Sequence, residues 1–173
     1  MRARLRSEEG FGLIELLMAI VMLNIGILAI VAAFNSGALA LQRASQTSTA
    51  ATLAEKQMEL YRGLRYNAIG LTLTTSTDAT YQGDTACVGG SGSCGNVAAT
   101  SPGCPNASFP DACTPSRTVT GPDDVSYRVD TYITNVTPPD GRPVKRVTVV
   151  VRKASATKVL ARLVSSFDES TGV

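Results

Sequence analysis

The sequence predicts an α+β fold: a long N-terminal helix packed against a C-terminal antiparallel sheet of about three strands, with a loop region between them. Three observations carry that prediction. Residues 11 to 34 read FGLIELLMAIVMLNIGILAIVAAF, an apolar run whose only charge is Glu15, and no further charge occurs until Arg43. Residues 35 to 68 contain no Pro, and residues 38 to 60 are dense in Ala, Leu, Gln, Glu and Met, so nothing stops the helix at the end of the apolar run. Residues 125 to 167 hold alternating apolar and polar positions broken by two short turn sequences, the pattern of an antiparallel meander.

The helix divides by character. Residues 11 to 41 are apolar on all sides, unlike a one-sided surface helix, and are long enough to cross a hydrocarbon core of about 30 Å. Asn24 within this stretch reads as a helix–helix contact in an apolar medium. Residues 42 to 67 turn amphipathic, with Ala51, Ala54, Met58 and Tyr61 on one stripe and Gln46, Glu55, Lys56, Glu59 and Arg62 largely elsewhere. Asn67 and Gly70 are the expected stop signals. A helix from 11 to 67 would be about 85 Å long, with Gly26 and Gly37 as candidate bend points.

Residues 68 to 122 form a connecting region rich in Thr, Gly and Ser, with little periodicity. It contains Cys87, Cys94, Cys104 and Cys113. No CxxC pair and no His accompany them, so a zinc site is disfavoured and no metal or cofactor is expected. In an exported segment they read as two disulfides, for which three connectivities exist. Closing the shortest loops favours Cys87–Cys94 and Cys104–Cys113.

Residues 123 to 173 hold the sheet. Val125, Tyr127, Val129, Thr131 and Ile133 alternate with Ser126, Arg128, Asp130, Tyr132 and Thr134. Residues 137 to 143 are a Pro/Gly turn, Val144 to Lys153 a second strand with Val147, Val149 and Val151 facing inward, and Lys158 to Phe167 a third. One face would cover the amphipathic half of the helix, and the other would face solvent or a neighbour.

Composition narrows the function. The chain has 173 residues, 44% of them hydrophobic and 17% charged, with a formal net charge of +2 and neither His nor Trp. Its mean hydropathy is +0.10. Without His, Ser-His-Asp and Cys-His catalysis are excluded within this chain. The scattered acidic residues offer no nucleophile–base pair, so no enzyme is expected. A charge near zero and 5% aromatic residues argue against a nucleic-acid partner. The basic start, with Arg2, Arg4 and Arg6, would hold the N-terminus on the cytoplasmic side and leave the remainder to be exported.

The junction Ser7-Glu8-Glu9-Gly10-Phe11-Gly12-Leu13-Ile14-Glu15, ahead of a long apolar helix, resembles the type IV prepilin signal. The strong likeness covers residues 8 to 40, with a looser one to residue 68. Gly12 stands where the family usually has Thr, Ser or Met. The resemblance implies that residues 1 to 10 are a leader. A membrane-embedded prepilin peptidase would cut after Gly10 and methylate the new amine of Phe11. The physics is compatible: Gly10 leaves the backbone open to a protease. A carboxylate at Glu15, inside a membrane segment, costs roughly 2.5–3.5 kcal/mol and needs a partner. In the family that partner is the Phe11 amine of a neighbouring subunit. The segments Ile20 to Leu28 and Leu53 to Glu59 look most like minor pilins of the V class, or the minor pseudopilin of type II secretion. The implied partners are membrane lipid, other pilin or pseudopilin subunits in a helical filament, and an inner-membrane platform with its ATPase motor. Competence pseudopilins are a related alternative. An uncleaved membrane anchor carrying an extracytoplasmic binding domain is the alternative outside the family.

Overall fold

The computed structural model describes residues 12–72, 84, 99–100, 110–139 and 141–170. Gly10, Phe11, Cys87, Cys94 and Cys104 lie outside these residues. The chain forms two compact units, Met1–Ala44 and Ser45–Val173. Helix α1 (Leu13–Arg62) contributes residues to both.

In the first unit, α1 begins with the amides of Glu15 and Leu16 donating to the Gly12 carbonyl at 2.9 and 3.2 Å. Glu15 lies in the first turn, where a carboxylate complements the exposed helix amides. Every described residue of this unit is exposed.

In the second unit, α1 ends at Arg62, earlier than the expected residue 67. Gly63 follows, and its amide still donates to the Glu59 carbonyl at 3.2 Å. Glycine leaves a helix at little steric cost, and the turn there carries Leu64 into the core at 5% exposure. A 3-10 turn, Tyr66–Ala68, comes next. Lys145 Nζ donates to the Tyr66 and Ile69 carbonyls at 2.8 and 2.7 Å and sits 4.6 Å above the Tyr66 ring centre. Burial pushes this ammonium below the ordinary lysine range. Strands β1 (Leu71–Thr72) and β2 (Ala99–Thr100) form a short parallel pair.

Among the described residues the main sheet has four strands rather than three: β3 (Ser116–Thr120), β4 (Ser126–Val136), β5 (Val144–Lys153) and β6 (Val159–Asp168). Their order is β3-β4-β5-β6, all antiparallel. The added strand, SRTVT, falls in the stretch expected to be connecting loop. It has one large apolar residue, Val119, and takes its place by pairing with β4 from Ser116↔Asp130 to Thr120↔Ser126. The β3–β4 turn closes through Gly121 N to Val125 O at 2.9 Å, with Asp124 in the left-handed region at φ 55°.

One sheet face packs on α1. Val129↔Val151, Thr131↔Val149 and Ile133↔Val147 are cross-strand pairs, all buried. They share a core with Ala50, Ala54, Met58 and Tyr61, a stripe at helical spacing. The buried stripe differs from the expected one. Ala50 is buried where Ala51 is half-buried, and Gln46 and Gln57 are buried at 8% and 1% exposure. Gln57 is accommodated because Nε2 donates to the Asp111 carbonyl at 3.1 Å and to Tyr61 Oη at 3.3 Å. Tyr61 Oη in turn donates to the Ala112 carbonyl at 2.8 Å, and burial raises its phenol above the usual range.

The opposite face is not simply solvent-facing. Asp130, Tyr132, Thr148, Val150 and Arg152 on that face are all buried. Asp84 joins them through Tyr132 and Arg152. Here β4 and β5 are covered on both sides, so simple in–out alternation fails.

Candidate functional site

The first candidate is the surface of α1 in the first unit. Leu13, Ile14, Met22, Leu28, Phe34 and Leu41 are each 64–90% exposed, and the large hydrophobics between them are exposed too. A soluble helix buries one stripe; this one presents apolar side chains around its whole circumference. It is near the N-terminus and is long and apolar enough to span a membrane. From Leu13 to Leu41 the axis rises about 42 Å, more than the roughly 30 Å of a bilayer's hydrocarbon.

Glu15 is exposed on this surface. Among the described residues, no cation lies within ion-pair distance of its carboxylate. Gly26 and Gly37 have open space where a Cβ would stand, so no close approach within this unit demands glycine there. The expected cut and methylation positions, Gly10 and Phe11, fall outside the described residues, and with them the expected partner of Glu15.

Comparison with protein-family models, with curated proteins and with solved structures finds no match for the chain.

In the second unit, Cys113 is buried and disulfide-bonded. It follows the 3-10 turn Pro110–Ala112, whose carbonyls hold Gln57 and Tyr61, so its backbone is fixed against α1. The other three cysteines lie outside the described residues, and with them the proposed pairing. Among the described residues, no group of His, Cys, Asp and Glu is placed to hold a metal.

The polar cluster on the second sheet face was not singled out by sequence reasoning. Arg152, with a side chain 5% exposed, donates through Nη1 to Asp130 and through Nη2 to Asp84 Oδ1 at 2.9 Å. Its Nε donates to the Thr157 carbonyl at 3.1 Å. Asp130 also accepts from Ser116 Oγ at 2.7 Å and from Arg128 Nε at 3.1 Å, and Tyr132 donates its hydroxyl to Asp84. Burial alone would lower the guanidinium's pKa, but Tyr132, Asp84 and Asp130 outweigh it and raise it. Burial, and then the bond to Asp84, pushes the Tyr132 phenol well above its ordinary range. Asp130 and Arg152 sit on adjacent strands with a visible charge match, which is a sequence signal. Asp84, in a Thr/Gly-rich stretch without periodicity, carries none. Each charged group of the cluster is paired, so the cluster fits a structural tie.

Proposed function

We propose that the chain is a pilin-like structural subunit, most like a minor pilin, made as a membrane-anchored precursor and assembled through its apolar helix. The observation that carries this is the conjunction of Gly10-Phe11-Gly12-Leu13-Ile14-Glu15 with a helix that is apolar around its circumference and holds a single acidic group in its first turn. A helix built this way is unstable in water and suited to lipid, or to a bundle of like helices. In lipid it anchors the precursor, and in a filament neighbouring copies replace the lipid. Cutting after Gly10 removes a leader with three Arg and two Glu, which lowers the formal net charge from +2 to +1. It also frees a cationic amine at Phe11. Pairing that amine with Glu15 of a neighbour neutralises both charges in an apolar core and sets the axial register. Pilus is favoured over secretion pseudopilus because the head carries the cysteine-bearing region. The partners are a prepilin peptidase, like subunits, and a membrane platform with an ATPase motor; the role is structural rather than catalytic.

Mass spectrometry of the purified protein tests this directly. A mature chain starting at N-methylated Phe11 is expected. An intact Met1, or a cut beyond residue 34, would sink the pilin reading and leave an uncleaved or signal-processed anchor. Glu15→Ala is expected to be processed normally yet to enter filaments poorly; unchanged incorporation would exclude the pairing role.

A further inference from the structure

We propose that the outer edge of β6 is a self-association surface, on which a second copy of this chain adds its own β6 antiparallel to form a two-fold, eight-stranded sheet. β6 is the last strand in the sheet order, and among the described residues no backbone hydrogen bond outside the β5–β6 ladder reaches Val159 to Phe167. The other edge strand, β3, has five residues, whereas β6 has ten. Exposed edges in monomers are blunted by brevity, by Pro or by inward-pointing charge. β6 has no Pro, and Arg162 is its only charged residue before Asp168. A bulge lies only at its Val159 end. Beside the strand runs a groove of about 410 Å³, lined among others by Thr52, Glu55, Met58, Glu59, Arg62 and Leu163. Val164, on the other face of the strand, is 50% exposed.

The sequence of β6 selects its own copy as the occupant. An antiparallel pair centred on Leu163 sets Leu163 against Leu163, Arg162 against Val164, and Ala161 against Ser165. It also brings the Lys158 end of each strand to the Asp168–Glu169 end of the other. Opposite charges meet twice by symmetry and no like charges face each other. The Arg162 stem covers the exposed Val164 while its head stays in water. A parallel, in-register pair would instead place Arg162 beside Arg162 and Lys158 beside Lys158, which is disfavoured. Backbone hydrogen bonds along the open edge supply the attraction, as in other strand additions.

Nothing in this dimer depends on filament assembly. The test uses the full chain in nonionic detergent, with the photo-reactive residue p-benzoylphenylalanine replacing Val164. Irradiation is expected to give a homodimer whose cross-link maps to residues 160–166 of the second copy, whereas the same residue replacing Thr118 on β3 gives none. Lys158→Glu should lower the yield roughly fivefold, the scale of two exposed charge pairs, and adding Asp168→Lys should restore it. The cross-link should persist in Glu15→Ala. The proposal is overturned by no homodimer from a chain with native circular dichroism, by a cross-link to a different protein or to α1, by a yield indifferent to Lys158→Glu, or by loss of the product in Glu15→Ala.

Discussion

Replacing Arg152 by Met isolates the energetic role of the buried charge cluster. Met keeps an unbranched apolar side chain in the space of the arginine stem but removes the guanidinium. Asp130 and Asp84, whose side chains are 7% and 19% exposed, then lose the cation they share. Two carboxylates remain close together on one sheet face. Taking one partner from a buried ion pair costs about 3–5 kcal/mol, because the other charge stays buried without compensation. Asp130 keeps Ser116 Oγ at 2.7 Å and the half-exposed Arg128 at 3.1 Å, which places the loss near the lower end, about 3 kcal/mol. At about 2.1 cal/mol/K of unfolding entropy per residue, a unit of this size loses roughly 11 °C of Tm. The assay is thermal unfolding at pH 7 followed by near-ultraviolet circular dichroism. The tyrosine band of that signal reports the second unit alone, because the chain has no Trp and all its tyrosines follow residue 60. Adding Asp84→Asn and Asp130→Asn to Arg152→Met should recover part of the loss, since the stranded charges are then gone. A Tm for Arg152→Met within about 3 °C of the parent, or no recovery in the triple variant, would refute the reasoning.

Two further outcomes follow from local geometry. Gly121→Ala would set a Cβ 2.5 Å from Asp123 Oδ1, 2.8 Å from Tyr127 Cε2 and 2.9 Å from Thr49 Cγ2, so the β3–β4 turn must move away from α1. A loss of roughly 1–3 kcal/mol is expected by urea unfolding, and a loss under about 0.5 kcal/mol would show that the turn yields freely. The Tyr127 phenol is pushed up to about 12, first by burial and then by its 2.6 Å hydrogen bond to Asp123. A pKa above its unfolded value near 10 gives stability that is complete below pH 10 and lost as pH rises through about 12. Tyr127→Phe should therefore flatten the fall in the urea midpoint between about pH 10 and 12, and parallel curves for the two proteins would exclude this origin.

Much of the fold was legible because it is written in local periodicity. The apolar run and its Pro-free continuation mark α1, and alternation marks β4, β5 and β6 nearly to the residue. The misses share a different cause. β3 has too little apolar content to announce itself, and it forms because β4 offers it a ladder. Gln57 carries no local signal for burial, and it goes inside where the carbonyls of Asp111 and Ala112, more than 50 positions away, accept from its Nε2 and from Tyr61 Oη. Asp130 and Tyr132 read as outward-facing, and their face is buried around the Arg152 cluster that Asp84 joins.

By itself, the sequence determined the features that need no partner in space. These are a helix apolar on all sides, one carboxylate at its head, a Gly-Phe junction before it, and a set of alternating strands. Local spacing and transfer free energy are enough for those, since each residue's preference is settled by its immediate neighbours and its solvent. Only the tertiary structure decided where helix α1 stops, that the sheet holds four strands, which polar side chains go inside, and which strand is left as an open edge. Those outcomes depend on hydrogen bonds and ion pairs between residues far apart in the chain, and no local pattern specifies which donor a buried acceptor will meet.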